Sequence, residues 1–182
     1  MAQSLEIVPR TFPIVADSST ATGLAYAAPA GGGKLLQVVY ANYSTPTTVA
    51  SATFTDTGLT ATITPTSATS KIYVFATQNG RVSRLSNENI AAFKILRGAT
   101  TVFNTDTGSS TSGYTGFGGG GSGLTTFLSV NHIPLQYLDS PATTSATTYK
   151  VQTRVAITSN TGEIACQYEY ANSAITLMEI GA

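Results

Sequence analysis

Charge is scarce in this chain. Nine Lys and Arg and nine Asp and Glu make up 10% of its 182 residues, where ordinary globular proteins carry about a quarter. The formal net charge is zero. That argues against nucleic acid as a main partner, because a phosphate backbone is held by a cationic surface. It argues equally against an anionic membrane surface. With a single cysteine, Cys166, no internal disulfide can form. Tryptophan is absent and histidine occurs once. No uninterrupted apolar stretch reaches the roughly 18 residues of a spanning helix. The opening MAQSLEIVPRTFPIV lacks a basic region followed by a continuous apolar run, so a secretory signal is not expected.

Small hydroxyl side chains take the place of the missing charges. The chain holds 31 Thr and 18 Ser, and 42% of its residues are hydrophobic. Thr is β-branched and suits a pleated, half-buried surface. A neutral, weakly charged surface also resists self-association poorly, so part of it is expected to be covered by partners.

Residues 1–33 differ from the rest of the chain. Pro9, Pro13 and Pro29 interrupt the pattern, and Gly31, Gly32 and Gly33 close it. Leu5, Ile7, Val8, Phe12 and Ile14 are more apolar side chains than a disordered tail usually carries. The expectation is an extended N-terminal arm on a glycine hinge (1–33), lying along another protein and preceding a β-sandwich (34–182).

From Lys34 onward strand follows strand. An apolar run spans 35–43, and 48–56 comes after it. Leu59, Ala61 and Ile63 alternate with Thr60, Thr62 and Thr64, the period of a half-buried strand. KIYVFATQ (71–78) is apolar on both faces, Ile72, Val74 and Ala76 on one and Tyr73 and Phe75 on the other, so both faces are expected to be covered. Further strands are read at 89–97, 101–104, 124–138 (bent at Pro134), 149–157, 164–170 and 174–180. Residues 83–92 have room for one helical turn at most. Residues 105–123 form a long glycine-rich surface loop in which Tyr114 and Phe117 are the only large side chains. Nine or ten short strands with turn signals between them predict an all-β fold, a jelly-roll-like antiparallel β-sandwich.

The chemical motifs fail on context. Gly116, Gly118 and Gly121 have dinucleotide-fingerprint spacing without the flanking strand and helix that the pyrophosphate needs. Gly33-Lys34 has Ala28 and Leu35 where a phosphate loop has Gly and Ser/Thr. His132 has no G-x-S-x-G elbow to serve. One His, one Cys and scattered carboxylates offer no metal-ligand spacing. No carboxylate pair stands out for sugar hydrolysis. Cys166 alternates with Ile164, Tyr168 and Tyr170, as a small buried hydrophobe would. The chain is therefore expected not to be an enzyme and to need no cofactor or metal.

Several phrases occur together and in order: GKLLQVV (33–39), FTDTGLTATITPTSATSKIYV (54–74), AAFKILRG (91–98), LDSPATTSATTYKVQ (138–152) and AITLMEI (174–180). In this combination the chain resembles a β-rich domain at the C-terminal ends of many bacteriophage tail-fibre-like and virion structural proteins. The resemblance covers nearly all of residues 33–182. It implies a jelly-roll-like sandwich that assembles as a homotrimer, in a virion assembled in the host cytoplasm. Fibre proteins carry a long shaft ahead of such a domain, whereas about 33 residues stand here. A short arm and a compact head are more similar to a capsid cement, or decoration, protein.

The expectations are then concrete. The arm would bind the major capsid protein through Leu5, Ile7, Val8, Arg10, Phe12 and Ile14. Tyr73 and Phe75 would meet neighbouring subunits. The alternative is a host-recognition tip on a tail fibre or baseplate, with the arm in tail proteins and Tyr114 and Phe117 on a receptor or glycan.

Overall fold

The computed structural model describes residues 14–16, 24–26, 33–85, 89–106 and 127–181. The chain divides into two units, Met1–Gly33 and Lys34–Ala182. In the first, β1 (Ile14–Ala16) pairs antiparallel with β2 (Leu24–Tyr26). The second unit holds β3 (Leu35–Tyr43), β4 (Thr47–Val49), β5 (Thr55–Ile63), β6 (Lys71–Arg84) and β7 (Ala91–Arg97). It continues with β8 (Thr100–Asn104), β9 (Phe127–Asp139), β10 (Thr147–Val155), β11 (Glu163–Cys166) and β12 (Ser173–Ile180).

The pairing is nested. β7 pairs with β8, β6 with β9, β5 with β10 and β3 with β12, each pair enclosing the one before it in sequence. The chain is thus one long hairpin, rolled up so that successive pairs fall into two sheets, β3-β12-β6-β9 and β5-β10-β7-β8. This is an antiparallel jelly-roll sandwich. Short β11 and β4 lengthen the first sheet beside the far half of β6.

Alternation in the strands fills the interior. Leu59, Ile63, Phe93, Ile95, Tyr149 and Val151 come from one sheet; Ile72, Val74, Leu135, Ile164, Ile175 and Leu177 come from the other, and all are buried in one cluster. Each such side chain is worth about 1.5–3 kcal/mol when fully buried. At one end of the sandwich Asp139 of β9 ties the sheets together. Arg97 Nη1 of β7 donates to both its oxygens at 3.0 and 2.8 Å, and the Tyr149 hydroxyl of β10 donates at 2.7 Å. Burial and the neighbouring carboxylate push the Tyr149 hydroxyl pKa well above its ordinary value. Nearby, buried Glu179 of β12 accepts from Gln37 Nε2 at 2.6 Å and from the backbone N and Oγ1 of Thr66 at 2.7 Å each. Burial opposes its charge, but these hydrogen bonds outweigh burial and lower its pKa to about 2.

Two expected boundaries move. β6 does not stop at Gln78; it runs through Asn79 and Gly80 to Arg84, because β9 pairs along nearly its whole length and β11 takes the opposite edge at 80–83. Gly80 fits there because an added Cβ would lie 3.2 Å from Ile164 Cδ1. Segment 164–170 is not one strand; it leaves the sheet after Cys166. β9 continues through Pro134, being an edge strand, where a sheet tolerates proline. Residues 83–84 belong to β6, and the described part of 83–92 holds no helical turn.

Candidate functional site

The outer face of the β3-β12-β6-β9 sheet is built by the residues that alternate with the core. Cross-strand partners share a face, so the register assembles it row by row. One row is Val38, Met178, Tyr73 and Leu138; the next is Tyr40, Thr176, Phe75 and Gln136; the third is Asn42, Ala174, Thr77 and Pro134. None of these residues carries a formal charge. Among the described residues, charge borders the rows at their ends, with Lys71 at one and Arg81 at the other, where His132 also stands. Tyr40 is 64% exposed, Val38 53% and Leu138 46%. Tyr73 and Phe75 are half-buried, and the Tyr73 hydroxyl donates to Gln136 Oε1 at 2.8 Å.

β3 is an edge of this sheet: among the described residues it pairs only with β12. Its sequence, LLQVVYANY, has no charge and no proline. Those are among the usual devices that keep a free edge from pairing with another chain.

A protruding segment stands at the far end. β9 occupies one edge of β6, so β11 and β12 must share the other. Cys166 lies opposite Gly80 and Ala174 opposite Thr77. The two are halves of one strand, interrupted by residues 167–172 opposite Gln78 and Asn79. In that excursion Gln167, Glu169 and Tyr170 have left-handed backbones, φ 50°, 52° and 62°. Such a conformation costs a non-glycine residue on the order of 1 kcal/mol.

A buried amide network holds the excursion in place. Asn79 N, Gln78 Nε2 and Gln167 Nε2 all point at Ser173 Oγ, at 2.9, 2.9 and 3.0 Å. Asn79 O accepts from Gln167 N at 3.2 Å, and Asn79 Oδ1 from Tyr168 N at 3.0 Å. Gln78, Asn79, Gln167 and Ser173 are all buried. A hydroxyl oxygen has two lone pairs and one proton of its own. The oxygen thus faces three donors, one more than its two lone pairs satisfy at a time. On the outer side, the Arg81 guanidinium sits 4.5 Å from the centre of the Tyr168 ring and bonds Glu163 Oε1 at 2.8 Å. Tyr170 projects beyond, 75% exposed.

The other sheet presents an opposite surface. Its outer residues include Lys94, Lys150, Gln152 and Arg154. Lys150 Nζ and Gln152 Nε2 bind Asp56 at 2.9 and 2.7 Å, Arg154 Nε binds Asp106 at 2.7 Å, and Lys94 Nζ lies 4.0 Å from the centre of the Phe54 ring. The sandwich therefore has one charged outer face and one whose three central rows carry no charge.

No protein-family model matches the chain, and no curated protein matches it. Solved structures of infectious bursal disease virus particles do. A T=1 particle derived from that virus aligns over 99% of this chain at 12% identity, with a TM-score of 0.37. The T=13 particle aligns over 100% at 12% identity and 0.38, and the VP2 subviral particle over 96% at 12% and 0.34. This chain spans 40%, 40% and 46% of those chains. At these values the likeness decides nothing about function.

Among the expected site residues, Tyr73 and Phe75 fall on adjacent rows of the uncharged face. Ile14 opens β1. Leu5, Ile7, Val8, Arg10 and Phe12 lie outside the described residues, as do Tyr114 and Phe117. His132 stands on β9 with Nε2 3.3 Å from Asn79 Nδ2. Cys166 is wholly buried, and burial pushes its thiol pKa up to about 12. Sequence reasoning missed Val38, Tyr40, Met178 and Leu138 as companions of Tyr73. Leu36, Val38 and Tyr40 alternate in β3, a visible signal, but their partners are fixed by a pairing that joins residues such as Gln37 and Glu179, 142 positions apart.

Proposed function

We propose that this chain is a non-enzymatic structural protein of a virus particle, a trimeric capsid cement protein of a bacteriophage. The observation that carries the reading is the division of the sandwich into a charged face and a face whose three central rows carry no charge. A protein whose work is surface burial needs one side kept apolar for other subunits and one side kept wet. Low overall charge supports the same reading, since few ions must be stripped of water when a broad contact forms.

In this reading three sandwiches close around a threefold axis with Tyr73 and Phe75 toward neighbours. Each arm binds the major capsid protein through Leu5, Ile7, Val8, Arg10, Phe12 and Ile14. Apolar burial contributes about 25 cal/mol per Å2, and three arms on one trimer act together through effective concentration. Removing residues 2–30 is expected to abolish binding to undecorated shells in a co-sedimentation assay while leaving the trimer intact. Equal decoration by the truncated protein would refute the role of the arm. The resemblance to tail-fibre domains favours a second reading, a host-recognition tip using Tyr114 and Phe117. Quantitative mass spectrometry of particles separates the two, with hundreds of copies for cement and a handful for a tip.

A further inference from the structure

We infer that the uncharged outer face of β3-β12-β6-β9, bounded at one end by the Tyr170 excursion, is the surface that receives a second copy of this chain. The inference rests on the self-assembling reading above and assigns its contact.

Four observations carry it. The three central rows hold no charge, so the face asks for no oppositely charged partner, and the same face on another copy is a complement to it. Strand spacing and rise give the rows a footprint of roughly 20 Å by 20 Å, in which Asn42, Thr77, Gln136 and Thr176 stand among eight apolar or aromatic side chains. Tyr170 and the exposed Leu35 and Leu36 extend the surface at its ends, toward the roughly 800 Å2 each partner buries in a standard contact. Among the described residues β3 pairs only with β12, and a neighbouring subunit would cover its other edge. Lastly, the excursion keeps three left-handed residues against their preference, and a buried amide network is devoted to holding them. The exposed result is one Tyr, a side chain enriched among interface residues that dominate binding. The charged face of the other sheet is left toward solvent.

The test is sedimentation of the full chain across a range of concentrations, with circular dichroism and a melting curve to show that each variant folds. The intact protein is expected to sediment at a multiple of 18.8 kDa. Val38→Asp and Leu138→Asp change exposed residues on opposite edges of the face, and each is expected to weaken assembly at least a hundredfold. Tyr170→Ala is expected to weaken it at least tenfold, and Thr62→Asp, on the charged face, to leave it unchanged. If the intact protein assembles and both Asp variants assemble equally well, the surface assignment is overturned while the assembly reading stands. If the intact protein is a monomer at the highest concentration, both are overturned.

Discussion

Ser173→Ala tests whether the excursion after Cys166 is pinned by one buried hydroxyl. The substitution removes a single oxygen. Ser173 Oγ stands within 3.0 Å of Asn79 N, Gln78 Nε2 and Gln167 Nε2, and with two lone pairs it satisfies two donors at a time. Alanine leaves the buried Asn79 N–H without an acceptor and takes one of two acceptors from Gln78 Nε2, which keeps Asn79 O at 2.9 Å. A stranded buried donor costs about 1–3 kcal/mol and the hydrogen bond lost by a donor that keeps another partner about 1 kcal/mol, so the expected loss is about 2–4 kcal/mol. For a chain of this size roughly 2–4 °C accompanies each kcal/mol, and the melting temperature should fall by about 5–15 °C. Scanning calorimetry measures that fall. Hydrogen exchange adds a local readout, since the Gln167 and Tyr168 amides bonded to Asn79 should lose protection before the β6–β9 ladder does. Thr158→Ala, at an exposed position away from the uncharged face, serves as control and should stay within about 0.5 kcal/mol of the parent. A Ser173→Ala protein that melts within about 2 °C of the parent would show that the network does not hold the excursion.

Three further outcomes rest on other features. The Glu179 carboxyl titrates near 2 in the folded chain, below its ordinary 4.5. The stability it contributes is therefore complete above about pH 4.5 and is lost as pH falls toward 2. Urea midpoints at a series of pH values should show that loss in the parent and a shallower one in Glu179→Gln. Gly58 has φ +87°, and an added Cβ would overlap the Tyr43 ring, so Gly58→Ala should destabilise by more than about 1 kcal/mol; an unchanged urea midpoint would refute this. Glu169, exposed with φ 52°, strains its backbone for no packing return, so Glu169→Gly should raise stability by up to about 1 kcal/mol. A lowered melting temperature in that variant would count against the strain.

Strands packed between alternating residues were readable in the sequence, as at 59–63, 71–78 and 149–155, because side-chain period two is local information. The extension of β6 was not. Gln78-Asn79-Gly80 reads as a turn by itself, and only the distant β9 and β11 turn it into strand. The break after Cys166 escaped for the converse reason. Ile164 to Tyr170 alternates well, yet the buried bonds that Gln167 and Ser173 make with Gln78 and Asn79, which lie more than 85 positions earlier, favour leaving the sheet. Tyr73 and Phe75 could be assigned to an outer face from β6 alone. That Val38 and Leu138 complete their row depends on long-range register, and the confinement of charge to the opposite face depends on which strands share a sheet.

The nesting of the strand pairs has a consequence for how the protein comes into being. β7 and β8 can meet as soon as both are made, whereas β3 must wait for β12, with Gln37 and Glu179 separated by 142 residues. At ribosomal speeds of about 5–20 residues per second that wait is roughly ten to thirty seconds. Through all of it the stretch Leu35–Tyr43 has no partner of its own, while every neighbouring nascent chain on the same message displays an identical one. The strand made earliest in the sandwich is the last to be sheltered, so the hazard of misassembly is greatest during synthesis and ends only when the roll closes.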